Sequence, residues 1–244
     1  MLDDGMADIQ GEKKTVELVD WIDFDDRNIW GFPKLIKKFS TYEEEVEKIL
    51  YLGMKHDSYE KSKKQKKIFI YGSYSINRTN LKGSTVAFYT EDNRFENFYD
   101  APSGPMKTLI NVGVQTCLGF DFSTYFAMPK VERLWNIYKS LHCTRYVQES
   151  GVNVIPTIIG TPDDFQYFRD CIPKGAPLAV QIHRHYTKKE FDIKKKLIKA
   201  WLEYVNPPFV WVYYSKTNKP YFEKVLGSVK TIWVASYSEQ KFNS

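Results

Sequence analysis

The sequence predicts an α/β fold built on a parallel sheet with crossover helices. Short runs rich in β-branched and aromatic residues alternate with helical segments over residues 68–235, which is the order of strand–helix–strand units. Most of these apolar runs are continuous rather than alternating, as in strands that helices cover on both faces. The runs predict about six to seven strands. Both an open sheet and a partial or degenerate barrel fit them, and the barrel is slightly favoured.

The individual elements follow from local patterns along the chain. Runs typical of strands occupy residues 68–71, 85–89, 112–118, 152–158, 178–182, 209–214 and 231–235. Apolar residues spaced three and four apart are typical of helices, and they predict helices at 129–141, 163–171, 187–205 and 219–226.

Residues 1–67 are predicted to form an N-terminal extension that packs on a core domain of residues 68–244. The segment 16–39 mixes tryptophan and phenylalanine with aspartate, and we expect it to be an irregular aromatic segment on the surface of the core. A helix is predicted after it, because Ser40 or Thr41 can cap a helix whose first turn carries several glutamates.

Composition restricts the class of protein. Aromatic residues make up 16% of the 244 residues, which disfavours disorder. Three cysteines without CxxC spacing favour free thiols in a reducing compartment. No apolar run approaches the roughly 20 residues of a membrane span. We therefore expect a cytoplasmic protein without a membrane partner, and the sequence leaves its oligomeric state open.

Four ordered blocks of the sequence carry a resemblance. They are VAFYTEDNRFENFYDAP (86–102), FDFSTYFAMPKVERLWNIYKS (120–140), GVNVIPTI (151–158) and IPKGAPLAV (172–180). In these blocks the chain resembles an uncharacterised family, a domain of unknown function, found in phages and mobile elements chiefly of Gram-positive bacteria. Family members usually have two aspartates where this chain has Glu91 and Asp92. The resemblance implies fold and origin, and it implies no particular chemistry.

Polar residues follow several predicted strands, where parallel sheets bind their ligands. Glu91, Asp92, Asp121 and His183 are the predicted catalytic residues at this edge. Asp92 and Asp121 are the predicted ligands of Mg²⁺ or Mn²⁺, a hard cation that would activate water for hydrolysis.

An alternative interpretation of the same residues is structural. Asp121 and Ser123 could cap a helix that begins near residue 128, and Glu91, Asp92 and Arg94 could form a surface ion pair. Aspartate and serine favour such positions for local hydrogen-bonding reasons alone. This structural interpretation is favoured over the metal site.

Further binding residues are predicted beside these carboxylates. Strand alternation would place His183 and His185 on one side and Arg184 on the other. The two histidines could bind a metal or a phosphate, although packing or hydrogen bonding is the favoured role. The complete predicted binding set at this edge is Arg94, Ser123, Tyr125, Arg184 and His185.

Two lysine-rich runs lie at 61–67 and 188–199, in a chain with a net charge of +5. Such runs could contact a phosphate backbone, and a solvated helix face is the alternative. The predicted phosphate-contacting residues are Lys63, Lys64, Lys66, Lys67, Lys194, Lys195 and Lys196.

These patterns support three hypotheses of function. The first is an accessory protein of a phage or mobile element that binds nucleic acid or a nucleotide through non-specific phosphate contacts. The second is a metal-dependent hydrolase acting on a phosphodiester or nucleotide. The third is a protein that binds a host protein through the aromatic and acidic segment 16–39.

Overall fold

The fold is an assembly of parallel strands joined by helices. A computed structural model describes residues 18–20, 23–52, 68–70 and 81–236. Every strand pairing within these residues is parallel, as the continuous apolar runs predict. The strands in this part of the chain are β1 (Ile68–Ile70), β2 (Thr85–Ala87), β3 (Thr116–Leu118), β4 (Asn153–Ile155), β5 (Leu178–Ile182), β6 (Val210–Tyr214) and β7 (Thr231–Ala235).

The strands form two sheets, whereas the sequence predicts one. Strands β1 to β4 pair in chain order, and β5 to β7 form the second sheet in the same way. A parallel bridge between Thr157 and Ala179 links the sheets, and there the amide of Ala179 donates to the carbonyl of Pro156 at 2.7 Å. Pro156 has no amide proton to donate, so it cannot add a hydrogen bond to the pairing between the two sheets. No pairing of β7 with β1 closes a barrel within the described ranges.

The helices differ from the prediction mainly in α4 (Lys130–Glu149) and in two short helices that the sequence did not indicate, α2 (Asn97–Asp100) and α3 (Ser103–Asn111). Helix α4 continues beyond the predicted end at residue 141, because residues 142–148 are all buried and therefore show no single apolar stripe. No helix of the described residues is long and apolar enough to cross a membrane. The helices are α1 (Tyr42–Leu52), α2 (Asn97–Asp100), α3 (Ser103–Asn111), α4 (Lys130–Glu149), α5 (Phe165–Phe168), α6 (Lys188–Val205) and α7 (Lys219–Leu226), with 3₁₀ turns at Asp92–Arg94 and Arg169–Cys171.

Side chains from both sheets share one interior cluster. Successive residues of a strand face opposite sides, and in β5 this places Leu178 and Val180 against the helices and Ala179 in the interior. Six of the strands contribute to the interior cluster, so the two sheets enclose a common space although no barrel closes. Its members in the strands are Ala87, Leu118, Ile155, Ala179, Trp211, Tyr213, Ile232 and Val234.

Helix α1 covers the N-terminal end of this interior. Its residues Tyr42 and Val46 pack against the interior cluster, and Glu45 and Lys48 are buried beside the first residues of β2 and β3. Thr41 caps the helix as predicted, since its hydroxyl accepts from the amide of residue 44 at 3.3 Å. The C-terminal ends of the strands therefore form the face on which a site can lie open.

The segment before α1 packs on the core, as expected for its aromatic residues. Phe24, Phe32 and Leu35 are buried in the core clusters, and Phe39 forms a parallel bridge with Val154 of β4. The domain boundary at residue 67 is not tested by these contacts and stays a prediction.

All three cysteines are buried free thiols, as their spacing predicts. Burial raises the pKa of each thiol above its usual value. They are therefore packing residues rather than nucleophiles.

Candidate functional site

The site begins with Asp121, which follows β3 at the C-terminal edge of the first sheet. Its carboxylate accepts a hydrogen bond from the side-chain amide of Gln181, near the end of β5. Gln181 lies on the same face of β5 as Ala179, which belongs to the interior cluster. The hydroxyl of Tyr186 donates to the carbonyl of Gln181 at 3.3 Å. Asp121 therefore connects the two sheets where their strands end.

Two side chains of this region have pKa values displaced toward neutrality. Burial raises the pKa of Asp121 to about 6, against the positive charges of Lys194 and Arg184, and the charge of Asp92 adds to the shift. Burial also lowers the pKa of Lys194 to about 8, opposed by the charge of Asp121 and assisted by that of Arg184. Paired groups with such values are typical of catalytic or binding sites.

A close approach of the backbone holds this edge together. A Cβ atom on Gly119 would lie only 2.6 Å from the amide nitrogen of Thr157, so no larger residue fits without a shift. The hydroxyl of Thr157 donates to the carbonyl of Gly119 at 2.6 Å. The hydroxyl of Tyr89 lies 3.5 Å from the same Thr157 hydroxyl. The chain after β4 is thereby held against the residue that precedes Phe120 and Asp121.

His183 lies beside this edge with its ring against Tyr213, at 4.9 Å between ring centroids. Burial lowers its pKa to about 4, and the charge of Arg184 contributes, so the ring is neutral at pH 7. Its Nδ1 atom is buried without a hydrogen-bond partner in the described part of the chain.

The predicted alternation over residues 183–185 is wrong, because β5 ends at Ile182. The side chain of Asn218 donates to the carbonyls of Ile182 and Arg184 at 2.7 and 2.6 Å, which turns the chain out of the sheet. Arg184 and His185 are exposed, whereas His183 is half-buried.

Asp92 is held by the loop that follows β3. Its carboxylate accepts from the amide and the hydroxyl of Ser123, at 3.0 and 3.1 Å. Helix α4 begins after Pro129 without a side-chain cap, so the interpretation of Asp121 and Ser123 as its caps is wrong. The exposed ion pair that this interpretation expects is confirmed for Glu91 and Arg94 of the three residues, with 2.5 Å between Arg94 Nε and Glu91 Oε2.

The predicted metal site is not tested by this arrangement. Among the described residues, no three His, Cys, Asp or Glu side chains converge closely enough to hold an ion together. Asp92 bonds to Ser123 and Asp121 bonds to Gln181. A metal-binding role of these two aspartates, and a catalytic role of Glu91 and His183, stay predictions.

Two exposed aromatic side chains in the loop after β3 each have a cation over the ring. The guanidinium of Arg184 lies 5.0 Å from the ring centre of Tyr125, and the ammonium of Lys189 lies 4.5 Å from that of Phe126. Tyr125 is 50% exposed and Phe126 is 44% exposed. We call these four residues the cation–aromatic rim. They come from the loop after β3, the loop after β5 and the first turn of α6.

The comparisons with known proteins identify the family. The family described as a domain of unknown function, DUF4417, matches residues 52–232 of the chain. The chain belongs to the DUF4417 family. The expected membership of an uncharacterised family is thereby confirmed.

Two curated relatives of this DUF4417 chain are encoded by phages. The "Gene 1 protein" of Mycobacterium phage L5 is 38% identical over 99 residues, which are 40% of this chain and 42% of the relative. The "Gene 1 protein" of Mycobacterium phage D29 is 36% identical over 101 residues, 41% of this chain and 37% of the relative. The matches thus span less than half of either relative. No solved structure matches the chain.

The lysines of the second run in this DUF4417 chain have different surroundings. The ammonium of Lys194 lies 3.4 Å from the carbonyl oxygen of Ile158 and interacts with Asp121. Lys195 forms an ion pair with Asp192 at 3.0 Å, and Lys196 is exposed. The first predicted set, Lys63, Lys64, Lys66 and Lys67, lies outside the described residues.

Sequence reasoning missed Gln181, Lys189 and Phe126 of the DUF4417 site. Gln181 is the one polar residue in the run LAVQI, and that interruption of an apolar strand was a usable signal. Phe126 and Lys189 carried no comparable signal, because their pairing joins a loop to a helix that is distant in sequence.

Proposed function

We propose that this DUF4417 chain is a phage- or mobile-element-encoded accessory protein that binds single-stranded nucleic acid at the cation–aromatic rim. The observation that carries the proposal is the placement of two exposed aromatic rings, each with its own cation, in the loop after β3. Base stacking on aromatic rings and backbone contacts of cations are the two components of single-strand binding. The phage relatives and the net charge of +5 support the proposal.

The rim favours a single strand over a duplex for a geometric reason. Tyr125 and Phe126 are adjacent in sequence and half-exposed, so their faces can stack only on bases that are not already stacked in a helix. Arg184 and Lys189 lie over the same rings, where they can reach the phosphates that flank a stacked base. Such contacts do not read the sequence of the strand.

The test is fluorescence anisotropy with labelled single strands of about 15 nucleotides, a length that suits the usual site sizes, over a series of salt concentrations. Replacing both Arg184 and Lys189 by Ala should reduce the slope of log affinity against log salt by about 1.4, at about 0.7 for each phosphate on a single strand. Tyr125→Ala should instead weaken binding by about 1–3 kcal/mol and leave the slope unchanged.

The matched control is Lys199→Ala, which removes an exposed lysine of the same helix that pairs with Glu203 at 3.8 Å. It should change neither the affinity nor the slope. Replacing Lys195 and Lys196 by Ser tests the remainder of the second lysine run separately. An unmodified protein that shows no binding at about 0.1 M salt, where phosphate contacts are still effective, would exclude the proposed function.

A further inference from the structure

The outer face of helix α4 and the turn beside it carry an apolar patch that the proposed function does not use. Val131 is 77% exposed and Trp135, one turn further along the helix, is half-exposed. The ring of Trp135 stacks on that of Tyr138, with 5.4 Å between the ring centroids. The turn adds Ile29, which is 90% exposed, and the half-exposed Trp30. We call these five residues the α4 patch, and neighbouring exposed apolar side chains of this kind are typical of a surface that another molecule covers.

The turn that presents Ile29 and Trp30 is held in place by Asn28. The side-chain oxygen of Asn28 accepts from the amides of residues 30 and 32, at 3.0 and 3.1 Å, and its side-chain nitrogen donates to the carbonyl of Tyr167 at 2.7 Å. The ring of Trp30 meets that of Tyr167 edge to face, with 5.2 Å between the ring centroids. A surface that is ordered in advance loses little conformational entropy when a partner covers it.

Two sets of contacts join this turn to α4. A guanidinium nitrogen of Arg27 donates to the carbonyl of Gly31 at 3.0 Å, and the same guanidinium lies 6.0 Å from the ring centre of Tyr138. The ammonium of Lys130, at the start of α4, lies 4.4 Å from the ring centre of Tyr167, against which the turn packs. The turn and the helix therefore form one surface.

The flank of the α4 patch next to the turn carries opposite charges at its two ends. Lys130 is exposed at one end. Asp23 lies at the other end, because it pairs at 2.7 Å with Arg27, the residue over Tyr138, and 79% of its side chain remains exposed. Residues 130 and 138 are about 12 Å apart along a helix. A partner with one sign of charge is repelled at one of these ends, whereas a second copy related by a two-fold axis perpendicular to α4 meets the opposite charge at both.

We infer that the α4 patch is the interface of a symmetric homodimer. The two copies of α4 pack antiparallel around a two-fold axis that passes near Trp135. Lys130 of each copy then faces Asp23 of the other copy, and Val131 of each packs on Tyr138 of the other. The inference goes beyond the proposed function, because one rim needs only one copy of the chain to bind a strand.

The size of the patch is consistent with this role. An interface of standard size covers about 800 Å² on each partner. A tryptophan side chain can bury roughly 150–250 Å², so the two half-exposed tryptophans, together with Ile29 and Val131, supply on the order of half of that area. The polar border around Lys130 and Asp23 contributes to the remainder, as the rim of an interface usually does.

A dimer of this kind brings two cation–aromatic rims into one assembly. The Cα atoms of Phe126 and Val131 are at most about 18 Å apart along the chain, so each rim lies close to the interface. A strand long enough to reach both rims gains affinity, because its second contact is intramolecular. This consequence, unlike the dimer itself, rests on the proposed function.

The first experiment is sedimentation velocity on the full chain at concentrations up to about 100 μM, well above the μM dissociation constants at the weak end for interfaces of standard size. We expect a species of twice the 28.7 kDa of the chain. Trp135→Glu and Val131→Asp should each raise the dissociation constant by about 30-fold or more, as at a binding hot spot, because each places a charge in the apolar centre. The matched control is Tyr221→Glu, which changes an aromatic residue on α7 that is 60% exposed and lies outside the patch. It should dimerise like the unmodified protein.

Exchanging charges tests the two-fold arrangement itself. In a homodimer, Lys130→Glu opposes two carboxylates at both ends and Asp23→Lys opposes two ammonium groups. Each variant alone should therefore dimerise at least about tenfold more weakly. An equimolar mixture of the two variants should recover most of the lost affinity, because in the mixed dimer both ends again join opposite charges.

Thermal unfolding checks that each variant is folded, as expected for side chains that are at least half-exposed. An unmodified protein that stays monomeric at every concentration would overturn the inference. So would a dimer that neither Trp135→Glu nor Val131→Asp weakens, or a mixture of the charge variants that associates no better than either variant alone. Association into species larger than a dimer would contradict a closed two-fold interface. None of these outcomes bears on the binding of a strand by a single rim.

Discussion

The ammonium of Lys48 lies 2.6 Å from the Oε1 atom of Glu45, and both side chains are almost completely buried. The same ammonium donates to the hydroxyls of Thr85 and Thr116 at 2.9 and 3.1 Å. Ser40 donates to Glu45 at 2.8 Å. Because these partners lie at the first residues of β2 and β3, the network seals the end of the interior opposite the candidate site.

We predict that Lys48→Met destabilises the protein strongly. The substitution keeps an apolar stem of similar length but leaves Glu45 buried without its cation, which typically costs about 3–5 kcal/mol. The free energy of unfolding from urea denaturation measures the effect.

The control for this prediction is the double variant Lys48→Met with Glu45→Leu. It removes both charges and should recover most of the lost stability, because an apolar pair carries no desolvation cost. If the single variant lost less than about 1 kcal/mol, the network would not be the ion pair that the geometry describes.

A second prediction concerns stability in acid and depends on Asp164. Its two carboxylate oxygens accept from Arg133 at 2.9 and 3.0 Å, and the hydroxyl of Thr161 donates to it at 2.7 Å. Burial by itself raises the pKa of Asp164, but these hydrogen bonds outweigh burial, and the pKa lies below its usual 3.8. The unfolded chain therefore binds the proton more readily than the folded protein.

Asp164 therefore stabilises the folded protein at pH values above the pKa that this residue has in the unfolded chain. The contribution is lost as the pH falls through the pKa of Asp164 in the folded protein. Asp164→Asn should lower the free energy of unfolding at pH 7 by about 3–5 kcal/mol and flatten its dependence on pH below about 4. Thermal unfolding at several pH values measures both effects. The exposed neighbour gives the control Asp163→Asn, and an equally steep acid dependence in Asp164→Asn would contradict the prediction.

A third prediction tests the close approach at Gly119. In Gly119→Ala the new Cβ would lie 2.6 Å from the amide nitrogen of Thr157, so the chain after β4 must move away from Asp121. We expect the free energy of unfolding to fall by about 1–3 kcal/mol, as for other overpacked positions. Urea denaturation measures the effect.

The chain offers a matched control in helix α3. A Cβ on Gly104 would meet nothing within 4 Å, so Gly104→Ala should raise the free energy of unfolding by up to about 1 kcal/mol. Equal effects of the two substitutions would show that the contact between Gly119 and Thr157 is not required.

Local sequence patterns were sufficient to predict most of the helices and strands. The parallel strands follow from continuous β-branched runs, and the start of α6 follows from Thr187, whose hydroxyl accepts from the amide of Glu190 at 3.3 Å. These features depend on neighbours within a few residues, which is the range over which propensity and hydrophobic periodicity act. The sequence therefore determined fold class and the direction of the strands.

Only the tertiary structure decided how distant segments combine. The division into two sheets depends on the narrow link at Pro156, and the full length of α4 depends on burial from all sides. The candidate site required Gln181 to reach Asp121 across 60 positions of the chain. Hydrophobic periodicity reports which face of an element is buried, but it carries no information about which remote side chains meet there. The displaced pKa values arise from that same burial, so they too became visible only in the fold.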